Sequence, residues 1–519
     1  MDRQSLRESF VAVAIIFGLL SNVLAQTSGT FTKDIAPILF DKCVSCHRPG
    51  ELAPMSLQSY DEVRPWARAI KDKVLSGEMP PFFAESNFGF FKNDPRLTIG
   101  EKELIENWVD AGAPRGDSSD LPVLPVFTDG WALGEPDHIL TLPEVTVPAE
   151  GEDYYPDLKL TIDLPEKRWI RAIEVRPSNR AVTHHSVIFT TGMGEGGGSG
   201  FFDVLAVWSV GTNPHEFPEG MGRWIHPGQE LTINAHYHPI GQVETDQTRI
   251  ALYFGEGDMQ KEVTAVLAGS MTFEIPPHAE NHELRSSYII DQDVSVISYF
   301  PHMHLRGQNM KLEARYPNGE TATLIDVPEY DFDWQLFYYP EQRVSLPKGT
   351  RLDITAHYDN SSGNPFNPDP ASPVRFGLET TDEMMFTVFE FYADEGVSPT
   401  PATAETRVEA LLTSLPVGSA YRVGLSMGNN TFPTALHLPE NGEGTWYIPM
   451  RGNLMVVPAQ NITWDGDAYR FDMQFRLGPM GGNFVVEGTV DAEGVIEGTF
   501  TGGGFVPFSN FQGVVDSGN

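Results

Sequence analysis

Cysteine is almost absent from this chain of 519 residues, in which Cys43 and Cys46 are the only two. One closely spaced pair excludes a disulfide framework, so packed cores and bound metals must hold the fold. Basic residues are also scarce, with 35 lysines and arginines against 71 aspartates and glutamates. This negative balance repels phosphate backbones and anionic lipid, which argues against nucleic acid or a membrane surface as a partner.

Apolar runs long enough to cross a membrane are missing as well. The run from Phe10 to Leu20 is too short, because a spanning helix needs roughly 20 apolar residues. Arg3 and Arg7 precede this run and small residues follow it up to Ala25, which is the order of a cleaved signal peptide over residues 1–25. The sequence therefore predicts a bacterial protein, periplasmic or secreted, with no membrane span.

The two cysteines belong to the motif Cys43-Val-Ser-Cys46-His47. In a C-x-x-C-H motif the two thiols form thioethers to a haem and the histidine becomes an axial ligand of the iron. A redox-active C-x-x-C is the alternative. The histidine that follows directly, together with the export signal, favours one covalently bound haem c.

Two capping boxes frame the helices of this region, Ser59-x-x-Glu62 and Thr98-x-x-Glu101. The first helix ends near Gly77, and its apolar face consists of Val63, Trp66, Ile70 and Val74. The second helix stops before Gly112 and Pro114, and its apolar face consists of Leu104, Ile105, Trp108 and Val109. This arrangement resembles a small class I cytochrome c, which implies an all-α cytochrome c domain over residues 26–120.

The iron needs a second axial ligand, which is a thioether or an imidazole. His47 is the only histidine before His138, so a methionine is expected. Met79 lies in a Gly-Glu-Met-Pro-Pro turn that resembles the methionine loop of class I cytochromes c. Met55 is the alternative, but only eight residues separate it from His47, and a gap-filling role in the core suits it better.

Beyond Gly116 the pattern changes to short β-type runs between prolines and glycines. No convincing long helical periodicity occurs there, so all-β domains are expected. Strands are predicted at 158–162, 173–175, 186–189, 231–237, 294–299, 351–357 and 386–391.

Histidines in this β region are grouped as His184-His185, His236-x-His238 and His302-x-His304. Residues i and i+2 of a strand point to one face, so an H-x-H pair can reach a single ion. Adjacent histidines point to opposite faces of a regular strand, and joint ligation would require a strand end or a bulge. A lone histidine is usually structural, but three groups in one region indicate metal.

Residues 125–400 resemble the copper type II, ascorbate-dependent monooxygenases, the family of peptidylglycine alpha-hydroxylating monooxygenase and dopamine beta-monooxygenase. Thr-His184-His185-Ser resembles the family's paired histidines. The segment Phe-Pro-Glu-Gly-Met-Gly at 217–222, followed by Ile-Asn-Ala-His236-Tyr, resembles its approach to a third histidine. The resemblance implies that these three histidines hold one copper ion, which stores and delivers an electron.

His302-Met-His304-Leu resembles the family's H-x-H motif, and Asp-Glu-Met384 resembles its segment with a methionine ligand. The resemblance implies that His302, His304 and Met384 hold a second copper ion, where O2 binds and is reduced. A thioether beside imidazoles favours Cu(I) over harder divalent ions. Zinc is the weaker alternative, because a zinc hydrolase would carry Glu or Cys rather than Met among its ligands.

Two ligand positions have rivals in the sequence. His238 has the same strand facing as His236, although Pro239 follows it and His236 matches the family pattern. Met385 is the rival of Met384, and one of the two is expected in the core because neighbours on a strand face opposite ways. The histidines without such support are read as structural or solvent-facing, and they are His138, His215, His226, His278, His282, His357 and His437.

The chain departs from the animal enzymes of that family in two respects. Those enzymes carry several disulfides, whereas here no cysteine remains after haem attachment. The places where the peptide-hydroxylating enzyme binds a peptide carboxylate hold Phe300, Phe386 and Val388. A peptide carboxylate is therefore not expected as the substrate, and a more apolar organic molecule is.

The C-terminal part contains Gly-rich turns between alternating strands. A strand is predicted at 469–477 and a β-hairpin around 491–494. Both belong to a small barrel or sandwich over 401–519, whose predicted role is packing or recognition rather than catalysis. With the family resemblance, the chain is expected to form a cytochrome c domain (26–120), two jelly-roll-like β-sandwich domains (125–262 and 263–400) and this accessory domain.

The sequence thus predicts a copper-dependent monooxygenase that hydroxylates a C–H bond with O2. Its cofactors would be two copper ions and one haem c, and an external donor would reduce the haem. The alternative is a non-catalytic electron-transfer or binding protein, because a fold alone does not determine function. The substrate and the oligomeric state are not predicted.

Overall fold

The computed structural model is mostly β, with 45% strand and 11% helix. It describes residues 29–515 except 50, 52, 86, 89, 127–129, 152, 192–203, 212–213, 395–407, 410, 413–414, 417, 428–429, 441, 443, 451–452, 478–479 and 506–509. The predicted signal peptide lies outside the described residues. Within the described part, no helix is long and apolar enough to cross a membrane.

The chain divides into two compact units, which are described separately here. The first comprises Met1–Phe82 and Pro95–Phe127, and the second comprises Phe83–Asp94 and Thr128–Asn519. The segment Phe83–Asp94, predicted as part of the haem domain, therefore belongs to the second unit. The Glu85 N–H, for example, donates to the Asp326 carbonyl at 2.7 Å.

The first unit is helical. A π-helical turn at Phe31–Ile35 leads into the first of four α-helices, and 3-10 turns lie at Arg64–Trp66 and Ser118–Asp120. The helices are α1 (Ala36–Lys42), α2 (Tyr60–Val63), α3 (Ala67–Ser76) and α4 (Ile99–Asp110).

Most of the helix signals predicted from the sequence are present. Thr98 and Glu101 form the reciprocal capping box of α4, and Gly77 ends α3 with φ +82. Trp66 is 44% exposed instead of buried. Arg64–Trp66 forms a tighter 3-10 turn, and this change of period rotates Trp66 away from the core.

The second unit contains 29 strands among its described residues. The strands before residue 260 are β1 (His138–Thr141), β2 (Val145–Val147), β3 (Asp157–Thr161), β4 (Arg168–Arg176), β5 (Thr183–Thr191), β6 (Val204–Ser209), β7 (His215–Glu216), β8 (Met221–Ile225), β9 (Glu230–Tyr237), β10 (Glu244–Asp246) and β11 (Arg249–Phe254). The next group is β12 (Lys261–Ser270), β13 (Glu274–Ile275), β14 (His282–Ile289), β15 (Val294–His302), β16 (Gly307–Arg315), β17 (Thr321–Val327), β18 (Ser345–Leu346), β19 (Arg351–Tyr358), β20 (Val374–Arg375) and β21 (Met385–Ala393). The last group is β22 (Ala420–Met427), β23 (Asn430–His437), β24 (Gly444–Met450), β25 (Asn453–Asp465), β26 (Ala468–Leu477), β27 (Met480–Val490), β28 (Val495–Phe505) and β29 (Asn510–Val515).

Strands β1 to β11 form two layers around one core. The sheet β3-β9-β5-β6 packs on the strands β1-β11-β4-β8, and branched side chains such as Ile188, Ile233 and Ile250 fill the space between them. The second layer continues without a break past residue 262. The start of β12 pairs in parallel with β8, Lys261 opposite Met221.

A second apolar cluster joins the sheet β3-β9-β5-β6 to the strands β12, β21 and β15. It contains Phe189 and Val207 from the former, and Leu267, Phe300 and Phe386 from the latter. This contact turns the His-bearing ends of both groups of strands toward one another. It is the feature of the fold that positions the site.

Strands β22 to β29 form an eight-stranded barrel, which the order β25-β24-β23-β22-β29-β28-β27-β26 closes through the pairing of β25 with β26. Trp446, Phe471 and Phe511 fill its interior. The predicted hairpin is present, because β27 and β28 pair from Val490 opposite Ile496. Of the two predicted alternatives for this region, the barrel is the one observed.

Candidate metal centre

His184 and His185 lie at the start of β5, beside β9. Thr183 pairs with Tyr237 but His185 pairs with His236, so β5 contains one extra residue at this point. That residue is His184, and the irregularity is the bulge that joint ligation by adjacent histidines requires. Both imidazoles turn to one side, and their Nδ1 atoms lie 3.0 Å apart.

His236 completes a group of three. One ring nitrogen from each of His184, His185 and His236 lies within 4.8 Å of the other two. The Nε2 atom of His236 contacts the Asp153 carboxylate at 2.8 Å, whereas its Nδ1 is buried without a hydrogen-bond partner. A buried ring nitrogen without a partner is costly unless it ligates an ion. The group therefore fits a metal ion.

Asp153 orients this group from behind. Its second oxygen lies 2.7 Å from His238 Nδ1, and the Thr380 hydroxyl also donates to the carboxylate. Burial opposes ionisation of Asp153, but its bonds to His236 and His238 outweigh that effect and lower its pKa. His238 is 67% exposed, so it holds the carboxylate from outside while His236 faces inward.

The second set of ligand residues lies at the end of β15. His302 pairs with Phe386 of β21, and its Nδ1 is 2.8 Å from Gln335 Oε1. Two residues on, His304 is buried, and its backbone N–H donates to the Glu383 carboxylate at 2.8 Å. The His304 ring has its own partner, because its Nδ1 lies 3.3 Å from the Asp382 carbonyl oxygen. Both imidazoles thus have a hydrogen-bond partner at Nδ1.

The register separates Met384 from Met385. Met384 lies two residues before Phe386, which is directly opposite His302, so it faces the same side of the sheet as His302. It packs in the same apolar cluster as Phe386. Met385 faces the other side, opposite Ser270, and is fully buried.

Glu383 supports the turn before Met384. Its carboxylate accepts the backbone N–H groups of His304, Arg306 and Met384 at 2.7–3.0 Å. Burial raises the pKa of Glu383 to about 7, against the effect of these three donors. Because both carboxylate oxygens accept backbone N–H groups, Glu383 is not available as a metal ligand.

Burial lowers the pKa of all four enclosed imidazoles. The pKa of His302 falls to about 4, and those of His185, His236 and His304 also lie below the usual value. At neutral pH these rings are uncharged. A neutral imidazole keeps a lone pair for a metal ion, so the electrostatics of the cluster suit a cation.

The two sets are neighbours. The ring centroids of His185 and His302 are 5.9 Å apart, and those of His302 and His304 are 5.2 Å apart. Phe332 stacks on His184 with centroids 4.7 Å apart and makes a T-shaped contact with His304 at a centroid distance of 6.1 Å. Five imidazoles therefore form one continuous cluster.

A scan against models of protein families finds no match to this chain. The likeness to the copper monooxygenases rests on the motifs at these histidines and on Met384.

In the helical unit, neither cysteine forms a disulfide, and Cys43 packs against the core. His47 Nδ1 lies 3.3 Å from the Met55 carbonyl, so Nε2 is the ring nitrogen that could bind the iron of the predicted haem. The Met55 side chain packs against the same core. Met79 is partly exposed in the turn after α3, where its N–H donates to the Lys73 carbonyl at 3.1 Å.

A cavity of about 520 Å³ lies elsewhere in the second unit. Its lining includes Glu216, Phe217, Phe337, Tyr339 and Arg343, and none of the five clustered histidines. The cavity therefore does not indicate where a substrate would bind beside the histidines.

Four residues of the centre were not predicted from the sequence. They are Asp153, Phe332, Gln335 and Glu383. Glu383 is next to Met384 and could have been noticed there. The other three lie 28 or more residues from the histidines that they contact, and no motif marks them.

Proposed function

We propose that this chain is an exported copper-dependent monooxygenase that hydroxylates a C–H bond of a small, apolar organic molecule with O2. The observation that carries this proposal is the cluster of five imidazoles, three of them buried, with Met384 packed in the apolar cluster next to His302. Imidazole nitrogens and a thioether, with no carboxylate among the proposed ligands, favour copper over harder ions.

His184, His185 and His236 would hold one copper ion, and His302, His304 and Met384 the other. Copper supplies the binding and stepwise reduction of O2. The protein contributes fixed ligand geometry: the β5 bulge aims two rings at one point, Asp153 orients His236, and Gln335 orients His302. Such partners of the ligands tune metal affinity and activity.

Burial of the cluster has a further role. His185, His236 and His304 are each at most 5% exposed, so bulk water has little access to their ring nitrogens. Restricted water strengthens the electrostatic interactions of a site and limits side reactions of reduced oxygen. This environment suits oxygen chemistry better than simple metal storage.

The proposed substrate class rests on the residues beside His302. Phe300, Phe386 and Val388 occupy the face of the sheet that carries His302, and none of them can pair with a carboxylate. All three are at most 3% exposed and pack in the apolar cluster between the sheets, so they are not themselves the lining of an open pocket. An anionic group would find no cationic partner among them, and we therefore propose an apolar substrate.

Cys43, Cys46 and His47 would hold a haem c, with Met79 as the proposed second axial ligand. The haem supplies one-electron transfer, and an external donor would reduce it. Fusion to the copper-binding part raises the effective concentration of this donor at its acceptor. We propose that electrons enter the copper centre at the set His184, His185 and His236, because the other set must bind O2.

Metal analysis with oxygen uptake tests the function. Purified full-length protein is expected to contain two copper ions and one haem per chain and to consume O2 when a reductant and an apolar substrate are supplied. Haem without copper would instead support a non-catalytic electron-transfer protein. Zinc in place of copper, with no oxygen uptake after copper loading, would refute the monooxygenase.

A further inference from the structure

The cavity of about 520 Å³ in the second unit has the size of a small-molecule site. Pockets that bind small organic ligands have volumes of about 300–1,000 Å³. Its wall is largely apolar and comes from the segment after β7, from β15 and from the loop between β17 and β18. These apolar lining residues include Phe217, Val296, Ile297, Leu336 and Phe337. Such a wall suits an apolar molecular body.

Hydrogen bonds from Asn93 hold one side of this wall in place. The Asn93 side-chain amide donates to the Phe337 carbonyl at 2.7 Å, and its oxygen accepts the Tyr339 N–H at 3.1 Å. The Lys92 N–H donates to the Tyr339 carbonyl at 2.8 Å. A wall that is already fixed loses little freedom when a ligand enters, which favours binding.

Tyr339 adds a polar group to the lining, and buried side chains orient its hydroxyl. The hydroxyl lies 2.9 Å from His215 Nδ1. On the other side of the same ring, His215 Nε2 lies 3.1 Å from Glu390 Oε1. The Ser298 hydroxyl donates to Glu390 Oε2 at 2.5 Å, and His215, Ser298 and Glu390 are all buried. The position of the Tyr339 hydroxyl is therefore defined by a row of buried groups.

The Tyr339 hydroxyl is uncharged at neutral pH, because burial raises its pKa. Burial opposes the ionisation of Glu390, but its interactions with His215 and Ser298 outweigh that effect and lower its pKa. An uncharged phenol hydroxyl can both donate and accept a hydrogen bond. The hydroxyl of a ligand has the same two roles, so it can pair with Tyr339 whichever way the Tyr339 proton points.

The charged residues that line the cavity favour an uncharged ligand. The Arg343 guanidinium donates to the Asp394 carboxylate at 2.6 Å and is thus already paired. Lys92 and Glu216 have opposite charges, and both are exposed. An ion that entered between the apolar side chains would lose its hydration without gaining a buried partner, which is costly.

Two aromatic rings lie between this cavity and the nearest ligand of the second set. Phe337 lines the cavity and packs on Phe300, with ring centroids 4.7 Å apart. Phe300 in turn stacks beside His302 at a centroid distance of 6.4 Å. The cavity is therefore a site separate from the candidate metal centre.

We propose that this cavity is a second binding site, for a small uncharged alcohol or phenol with an apolar body, and that Tyr339 pairs with the hydroxyl of that ligand. The site needs no metal, so the inference goes beyond the proposed function and does not depend on it. The two are related in their chemistry, because hydroxylation of a C–H bond forms an alcohol.

The test is isothermal titration calorimetry of the full-length protein with 2-naphthol as the probe. 2-Naphthol is expected to bind, and 2-naphthoate is expected to bind more weakly because its carboxylate finds no buried cation. Absence of 2-naphthol binding would overturn the inference, and so would equal or tighter binding of 2-naphthoate. Copper content and O2 uptake are measured separately, so either result leaves the proposed function intact.

Tyr339→Phe tests the polar contact, since it removes the hydroxyl and keeps the ring. Affinity for 2-naphthol should fall by about 2- to 10-fold, as for the loss of one hydrogen bond. Affinity for 2-methylnaphthalene, which has no hydroxyl, should not fall. Tyr253→Phe is the matched control, because the Tyr253 hydroxyl donates to the Gly134 carbonyl at 3.1 Å and Tyr253 does not line the cavity. Equal affinity of the two variants for 2-naphthol would refute the role of Tyr339.

Leu336→Trp tests the location of the site. Leu336 is half-buried and lines the cavity, so a larger ring at this position should occupy its volume and weaken the binding of both naphthalene probes. Leu378→Trp is the control, because Leu378 is 42% exposed and lies outside the lining. Circular dichroism checks that each variant is folded. Unchanged affinity of folded Leu336→Trp for 2-naphthol would show that the probe binds elsewhere and would overturn the inference.

Discussion

The two histidine sets reach similar burial by different structural routes. His184, His185 and His236 lie on two hydrogen-bonded strands, where a bulge in β5 brings the first two rings to one side. His302 and His304 lie at a strand end, and segments distant in the sequence supply their partners. The first set thus depends on strand pairing, and the second depends on tertiary packing.

The two sets should therefore differ in how well they tolerate substitutions nearby. Paired strands fix side-chain direction through the backbone, so the first set tolerates changes nearby as long as the bulge remains. The second set needs a glutamine, a glutamate and a methionine that converge from separate segments. We expect damage to the second set to affect catalysis most, and damage to the first to affect metal affinity and electron entry.

The largest effect is expected from removing a ligand of the second set. Met384→Ala or His302→Ala should abolish oxygen-dependent turnover, measured as O2 uptake of copper-loaded protein. Met385→Ala is the matched control, because Met385 is fully buried on the opposite face of the sheet. It should cost about 2–5 kcal/mol of unfolding free energy and retain turnover in the folded fraction.

The contrary result is equally specific. If Met384→Ala keeps near-normal oxygen uptake and folded Met385→Ala loses it, Met385 rather than Met384 supplies the thioether ligand. The distinction drawn from the register would then be wrong.

Electron entry gives the next contrast between the sets. After stopped-flow mixing of reduced protein with O2 and substrate, the haem absorption band should shift to its oxidised form within turnover. His236→Ala should leave the haem reduced, because the first set would no longer accept its electron. In Met384→Ala the first set persists, so when a reductant specific for the haem is added to protein that carries oxidised copper, one electron should still pass from the haem to that set.

Two outcomes would refute this relay. One is a haem that stays reduced while the unmodified protein turns over. The other is turnover in His236→Ala with haem oxidation as fast as in the unmodified protein.

A smaller effect is expected from Asp153→Asn, which alters a partner of a ligand. The carboxylate holds His236 through Nε2, and loss of such a partner lowers metal affinity by about 10–100-fold. Competition with a copper chelator measures this change. Asp333→Asn is the control, since the Asp333 side chain is 76% exposed and lies 3.7 Å from His184. Equal weakening by both would indicate a loss of negative charge rather than of orientation.

Asp153 also shows how far the sequence could predict the site. Strand period and histidine grouping predicted the β region, and the need for a bulge at His184 is met by the pairing in the structure. Asp153 lies 83 residues before His236, so only the folded chain reveals their contact. Local periodicity carries no information about such distant pairs.

The helices show the same limit at shorter range. The capping box at Thr98 depends on residues three apart, and it is present as predicted. The apolar face that included Trp66 assumed an unbroken helix, whereas Arg64–Trp66 forms a 3-10 turn. The closeness of the two histidine sets was not predicted at all, because it depends on the packing of one sheet on another.

The smallest effect is expected from His238→Ala, the rival of His236 in the sequence. His238 is 67% exposed and contacts Asp153 from outside, so its loss removes one of the hydrogen bonds that hold the carboxylate. Unfolding free energy should change by no more than about 0.5 kcal/mol, as for most surface substitutions. Copper affinity should fall by less than in Asp153→Asn, because the bond from His236 remains, whereas His236→Ala should empty the first set. Copper titrations of the three variants side by side check this order. If His238→Ala loses all copper from the first set and His236→Ala retains it, His238 is the ligand and His236 is the residue that supports Asp153.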